Sequence, residues 1–113
     1  MHELGIVYQI VRTVDEIKRE QFLSEIESIT LEIGEMSDVV PKFISEAWQA
    51  VRETTDYPNA EMKIDIISAK ARCKQCGYEE LIRKIDFECP KCKSSEFEII
   101  SGREFIIKEI IAK

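Results

Sequence analysis

Histidine is scarce in this chain of 113 residues, and positive charge is in the minority. It has a single histidine, His2, and its 16 lysines and arginines are outnumbered by 22 aspartates and glutamates, for a formal net charge of −6. Without a second histidine for general base work, an enzyme is not expected. The excess of acids argues against nucleic acid as the main partner, because binding to phosphates depends on clustered cations.

Long apolar runs are also missing. No stretch approaches the roughly 20 apolar residues that span a bilayer, and no targeting segment opens the chain. We therefore expect a cytoplasmic protein that does not associate with membranes. The length and a hydrophobic content of 44% fit one modest core with a small appendage.

Cysteine is limited to four residues, which form two Cys-x-x-Cys knuckles. Cys73 and Cys76 make the first knuckle and Cys89 and Cys92 the second, with twelve residues between them. Four thiolates at about 2.3 Å complete the tetrahedral shell of Zn²⁺, which is typical of a closed structural site. The pattern predicts a zinc ribbon over residues 72–96 whose folding free energy comes largely from the metal.

Two other interpretations of the four cysteines stay open from the residues alone. A pair of disulfides would require an oxidising compartment, which goes with secreted chains. Four thiolates can also hold a single iron or an iron–sulfur cluster, since ligand softness does not separate these from zinc. The twelve-residue spacer suits a small zinc ribbon and favours zinc.

Apolar periodicity predicts an α+β fold around the ribbon. In chain order the pattern indicates a helix over 4–20, a strand over 29–33, a helix over 38–51, a strand over 62–66 that runs towards the first knuckle, strand residues at 97–99, and a very apolar strand over 105–111. This string fits two helices packed on one face of a three-stranded sheet, with an inserted Cys₄ zinc ribbon. Residues 1–71 and 97–113 would form a discontinuous α/β domain, and 72–96 the ribbon domain.

Three details of these elements can be tested. Asp38 is the predicted N-cap of the second helix, with Pro41 in its first turn. Trp48, the only tryptophan, is expected to anchor the core rather than to bind a ligand. The isoleucine-rich last strand is expected to be covered, because an exposed edge of that composition would invite aggregation.

The amino terminus offers a second set of metal donors. The Met1 α-amine, the amide nitrogens of His2 and of Glu3, and the His2 imidazole can form fused chelate rings. Four nitrogens in a plane suit Ni²⁺ or Cu²⁺ rather than tetrahedral Zn²⁺. The alternatives are a flexible, functionless terminus for His2 and, for Glu3, an acid placed favourably at a helix start.

Taken together, these motifs resemble those of the hydrogenase-maturation nickel metallochaperones, the HypA/HybF family. The resemblance rests on the opening Met1-His2-Glu3-Leu4, on the knuckles Cys73-x-x-Cys76-Gly77 and Cys89-Pro90-x-Cys92, and on Glu32-x-Gly34 before the second helix. It covers essentially the whole chain, and the metal-binding motifs show no departure.

The resemblance implies a role in the delivery of Ni²⁺ to the large subunit of nickel–iron hydrogenase, with a GTPase of the same pathway and, in some organisms, in urease maturation. It implies nickel at Met1, His2 and Glu3, and structural zinc at the four cysteines. The chain would act as a monomer or homodimer. The rival interpretation is a zinc-ribbon module that acts on nucleic acid or on a transcription complex.

Overall fold

The computed structural model describes residues 3–86 and 88–113, and it confirms the α+β class. In chain order the described α-helices and strands are α1 (Glu3–Glu20), β1 (Ile26–Gly34), α2 (Pro41–Val51), β2 (Glu61–Ile67), β3 (Lys70–Cys73), β4 (Glu79–Leu81), β5 (Phe97–Ser101) and β6 (Phe105–Ala112), and short 3-10 helices cover Arg52–Thr54 and Ile82–Lys84. The strands form two three-stranded sheets, ordered β2-β1-β6 and β4-β3-β5. None of the described helices is long and apolar enough to cross a lipid bilayer.

The chain divides into two compact units. The first comprises the chain through Glu32 together with Asp38–Asp65 and Ile106–Lys113, and the second comprises Ile33–Ser37 and Ile66–Phe105. Both described α-helices lie in the first unit, and all four cysteines lie in the second.

Packing of α1 against α2 builds the core of the first unit, and Trp48 anchors it as predicted. The Trp48 side chain is 1% exposed, and its indole N–H donates a hydrogen bond of 3.1 Å to the carbonyl of Ala60. Its ring stacks on Tyr57, whose hydroxyl donates to Asp15 of α1 at 2.9 Å. The buried apolar residues of this unit are Val7, Ile10, Val14, Ile26, Ile29, Leu31, Ile44, Trp48, Val51, Tyr57 and Ala60.

The start of α2 corrects one prediction, since the N-cap is Val40 and not Asp38. Val40 is extended, with φ −94° and ψ 114°, as expected for a residue that precedes a proline. Its carbonyl accepts the N–H groups of Phe43 and Ile44, while Pro41 has no N–H to satisfy. Proline therefore sets the first residue of the helix.

Periodicity does not predict the second sheet. The strand expected to run towards Cys73 ends at Ile67, and β3 begins at Lys70 in the other sheet. There β3 pairs antiparallel with β4 and β5, so that Cys73 lies opposite Phe97. Strands of three to five residues show too few alternations to indicate which sheet they join.

The last strand, β6, is an edge strand of its sheet, contrary to the expectation that it would be covered. Ile106 and Ile111 are 49% and 40% exposed. Lys108 and Glu109 interrupt the apolar sequence, and Lys108 pairs with Asp65 of β2 at 3.1 Å. Charges in an edge strand disfavour pairing with a second chain, which accounts for an uncovered strand of this composition.

Candidate metal centres

The four cysteine sulfurs of the second unit converge on one point. All four Sγ atoms lie within 4.8 Å of one another, with 3.4 Å between Cys73 and Cys92 and 3.7 Å between Cys76 and Cys89. Sulfurs bound at about 2.3 Å around a tetrahedral ion would lie roughly 3.8 Å apart. Cys73 and Cys89 are buried, and Cys76 and Cys92 are exposed. The arrangement therefore fits one tetrahedral metal ion rather than two disulfides.

Matching backbone turns place the sulfurs. In the first knuckle the Gly77 N–H donates to the Cys73 carbonyl at 2.9 Å, and in the second the Lys93 N–H donates to the Cys89 carbonyl at 2.9 Å. The residue after each knuckle is left-handed, with φ 79° at Gly77 and 68° at Lys93. Only the first knuckle has the glycine that this conformation favours.

This difference predicts opposite effects of two substitutions. We expect Gly77→Lys to destabilise the ribbon by roughly 1–2 kcal/mol, because a β-carbon is unfavourable in the left-handed region. Apart from its chain neighbours, no described residue has an atom within 4 Å of a β-carbon at Gly77, so the penalty is conformational. Lys93→Gly is the matched variant and should be neutral or stabilising. Hydrogen-exchange protection of the ribbon amides in the zinc-bound protein measures both, and equal losses in the two variants would contradict the explanation.

The protein environment stabilises some of these thiolates but cannot stabilise all four without a cation. Backbone N–H groups of Cys76 and Gln75 lower the pKa of Cys73 to about 6. The Ser94 N–H also favours the Cys92 thiolate, yet the neighbouring sulfurs raise the pKa of Cys92 to about 12. A bound dication removes this competition, because it lets every thiol deprotonate.

Two of the six cations in residues 72–96, Arg72 and Lys93, form ion pairs within the described part of the chain. Arg72 contacts both Glu79 and Glu98 at 3.2 Å, and the Lys91 ammonium lies 5.4 Å from the centre of the Tyr78 ring. Sequence analysis missed these partners, and the backbone donors to sulfur as well. Arg72 lies opposite Glu79 on the paired strands, and this can be recognised only once the register of β3 and β4 is known.

Of the three residues predicted to bind nickel at the amino terminus, the structure describes Glu3. Met1 and His2, predicted to bind nickel, lie outside the described residues. Glu3 is the first residue of α1, and one oxygen of its carboxylate is buried without a hydrogen-bond partner among the residues that the structure describes. A buried carboxylate oxygen is unfavourable unless a donor or a cation reaches it.

A family model and two curated relatives that match this chain carry the same family name. A family model described as hydrogenase/urease nickel incorporation, metallochaperone, hypA matches residues 1–112. Hydrogenase maturation factor HypA of Desulfosudis oleivorans is 36% identical over 118 residues, which cover 100% of this chain and 99% of that protein. The protein of the same name from Desulfatibacillum aliphaticivorans is 34% identical over 111 residues, covering 97% and 85%.

Two solved structures share the fold. The Ni metallochaperone HypA from Helicobacter pylori aligns with a TM-score of 0.70 at 24% identity, over 99% of this chain and 97% of that one. A second HypA solution structure gives 0.76 at 23% identity, over 100% and 97%. Nothing in these comparisons supports the rival nucleic-acid module.

Proposed function

Because the chain belongs to the HypA family of nickel-incorporation metallochaperones for hydrogenase and urease, we propose that it delivers Ni²⁺ to the large subunit of nickel–iron hydrogenase in the cytoplasm. A GTPase of the same pathway would be its partner, and urease maturation would be a second use of the same carrier. Nickel is the cargo of this protein, and zinc is its resident metal.

We assign nickel to the Met1 α-amine, His2 and Glu3. The observation that carries the assignment is the carboxylate oxygen of Glu3 at the start of α1, which is buried and has no hydrogen-bond partner among residues 3–86 and 88–113. A cation held by the two preceding residues would satisfy this oxygen. Nitrogen donors from the amine, the amides and the imidazole suit the square-planar preference of Ni²⁺, so the same donors discriminate against Zn²⁺.

We assign zinc to Cys73, Cys76, Cys89 and Cys92. Their four sulfurs would fill the zinc shell and leave no open position, so the metal would organise the ribbon rather than activate water. We retain residues 72–96 as the zinc-ribbon domain and residues 1–71 and 97–113 as the nickel-binding domain. Sulfur would then hold one ion permanently, while the terminal nitrogens would bind the other reversibly.

Protons compete with Ni²⁺ for the donors of the terminal site, and this competition would allow the site to release its metal. An α-amine titrates near about 7.7–8.0 and an imidazole near about 6.5 in the absence of a metal. Both groups bind nickel only when deprotonated, so nickel affinity would fall on mild acidification.

Titration with Ni²⁺ of the untagged chain and of the same chain enzymatically acetylated at its α-amine tests this proposal. We expect one tight equivalent of Ni²⁺ in the first and none in the second, since an acetylated nitrogen cannot bind the metal as an amine. Zinc content serves as the control and should be equal in both proteins. Undiminished nickel uptake after acetylation would overturn the terminal site.

A further inference from the structure

Lys91 lies inside the second cysteine knuckle and contacts the segment that leaves the first. Its backbone N–H donates a hydrogen bond of 3.4 Å to the Sγ atom of Cys89. Its side-chain ammonium lies over the ring of Tyr78, 5.4 Å from the ring centre. Tyr78 directly follows Gly77, the residue after the first knuckle. A side-chain contact that involves no sulfur therefore joins the two knuckles.

Hydrogen bonds hold the Tyr78 ring in place beneath Lys91. The Tyr78 carbonyl accepts the N–H of Cys73 at 2.8 Å, and its hydroxyl donates to the Glu80 carboxylate at 3.2 Å. The other oxygen of that carboxylate accepts the N–H of Leu81 at 2.9 Å. Tyr78 is bound at both ends, so its ring is a fixed support for the lysine.

The other lysine inside a knuckle lacks such a support. Lys74 follows Cys73 in the first knuckle, and like Lys91 it is exposed. Neither lysine forms an ion pair with the residues that the structure describes. Among residues 3–86 and 88–113, Lys91 lies over an aromatic ring and Lys74 does not. The two lysines thus differ in this contact and not in charge or exposure class.

We propose that Tyr78 and Lys91 are positioning residues of the zinc site, which slow the loss of Zn²⁺ and so prevent the four thiolates from exchanging it for the Ni²⁺ cargo. The inference rests on the zinc assignment of the proposed function. Each knuckle supplies two of the four sulfurs, so the knuckles must separate before the metal can leave. Because the contact between Tyr78 and Lys91 joins the knuckles, it must break in the same step.

A nickel carrier needs such protection at its thiolates. Divalent metals of the first transition row bind to many of the same donor groups, and proteins select among them by geometry and availability more than by raw affinity. The Lys91 ammonium places a positive charge beside the sulfurs, and this charge opposes the approach of a second dication. Slow zinc loss and repulsion of Ni²⁺ would both keep the cargo at the amino-terminal donors.

Exposure of the zinc-loaded chain to excess Ni²⁺ tests the inference, with the released Zn²⁺ followed by a fluorescent zinc probe. We expect Lys91→Met and Tyr78→Leu each to release zinc about two- to fivefold faster than the unmodified chain, the factor that corresponds to an exposed cation–π contact. Lys91→Arg and Tyr78→Phe keep the cation and the ring, so they should retain slow release. Lys74→Met is the matched control, since it removes the same charge from the other knuckle and should release zinc at the unmodified rate.

The double variant Lys91→Met with Tyr78→Leu distinguishes one shared contact from two separate effects. It should release zinc no faster than the faster single variant, because either substitution alone already breaks the contact. Amides of β3, β4 and β5 should keep their protection from hydrogen exchange in every zinc-bound variant. A general loosening of the ribbon would lower that protection.

Four results would overturn the inference: unchanged release in both single variants, multiplied effects in the double variant, lost amide protection in the zinc-bound single variants, or equal acceleration in Lys74→Met. An unmodified chain that binds no zinc would reject the zinc assignment and the inference together. Nickel uptake at the amino terminus is titrated separately and should be equal in all variants, since none of them changes an assigned nickel donor. Absence of that uptake in the unmodified chain would reject the nickel assignment.

Discussion

The His2→Ala variant is expected to lose specific nickel binding, with an affinity at least on the order of a hundredfold weaker than that of the unmodified chain. The substitution removes the only imidazole in the protein and therefore the only side-chain nitrogen near the terminal amine that suits Ni²⁺. No cysteine is changed, so zinc should remain at one equivalent. Competition against a chromogenic nickel chelator measures the change.

Glu3→Gln is the matched control for this experiment. It keeps the amine, the amide nitrogens and the imidazole but removes the charge of the carboxylate whose buried oxygen has no described partner. We expect a smaller loss of affinity than in His2→Ala, since only the counter-charge is removed. Circular dichroism should show unchanged helix content in both variants. A His2→Ala protein that still bound one equivalent of Ni²⁺ with unchanged affinity would refute the assignment.

The sequence predicts the long elements well because their signals repeat over several turns. The apolar stripe of residues 4–20 corresponds to α1 (Glu3–Glu20), and Trp48 lies in the core as expected. The start of α2 illustrates where such reasoning fails. Asp38 has the chemistry of a cap, but the restriction that Pro41 imposes on Val40 decides the position.

In the candidate metal centre, too, the sequence predicts local features but not those that depend on residues distant in the chain. Cys-x-x-Cys spacing predicts which residues gather, since each knuckle is a local turn. It does not predict that Lys93 adopts the left-handed conformation that Gly77 adopts in the other knuckle, or that Arg72 contacts Glu79 and Glu98. The contacts of Arg72 follow from pairing between β3, β4 and β5, which residues distant in the chain determine.

Removal of zinc is expected to unfold the second unit while the first stays folded. The buried apolar residues of the second unit are Ile33, Ala69, Ala71, Cys73 and Cys89, which provide very little hydrophobic burial. Structural zinc contributes roughly 10–16 kcal/mol in small zinc domains, far more than two alanines can replace. The first unit has a full apolar core around Trp48 and contains none of the four cysteines.

The fluorescence of Trp48 can test this prediction, because the only tryptophan of the chain lies in the first unit and reports on that unit alone. After dialysis against a strong chelator, or in Cys89→Ser, amides of the β4-β3-β5 sheet should lose protection from hydrogen exchange, while Trp48 fluorescence keeps its buried emission maximum. Leu31→Ala is the matched control, since a cavity in the first core should destabilise that unit by about 2–5 kcal/mol and leave zinc bound. Retained protection in the metal-free sheet would show that burial and not the metal holds the ribbon together. A Trp48 shift that follows zinc loss would show that the first unit does not stay folded without zinc.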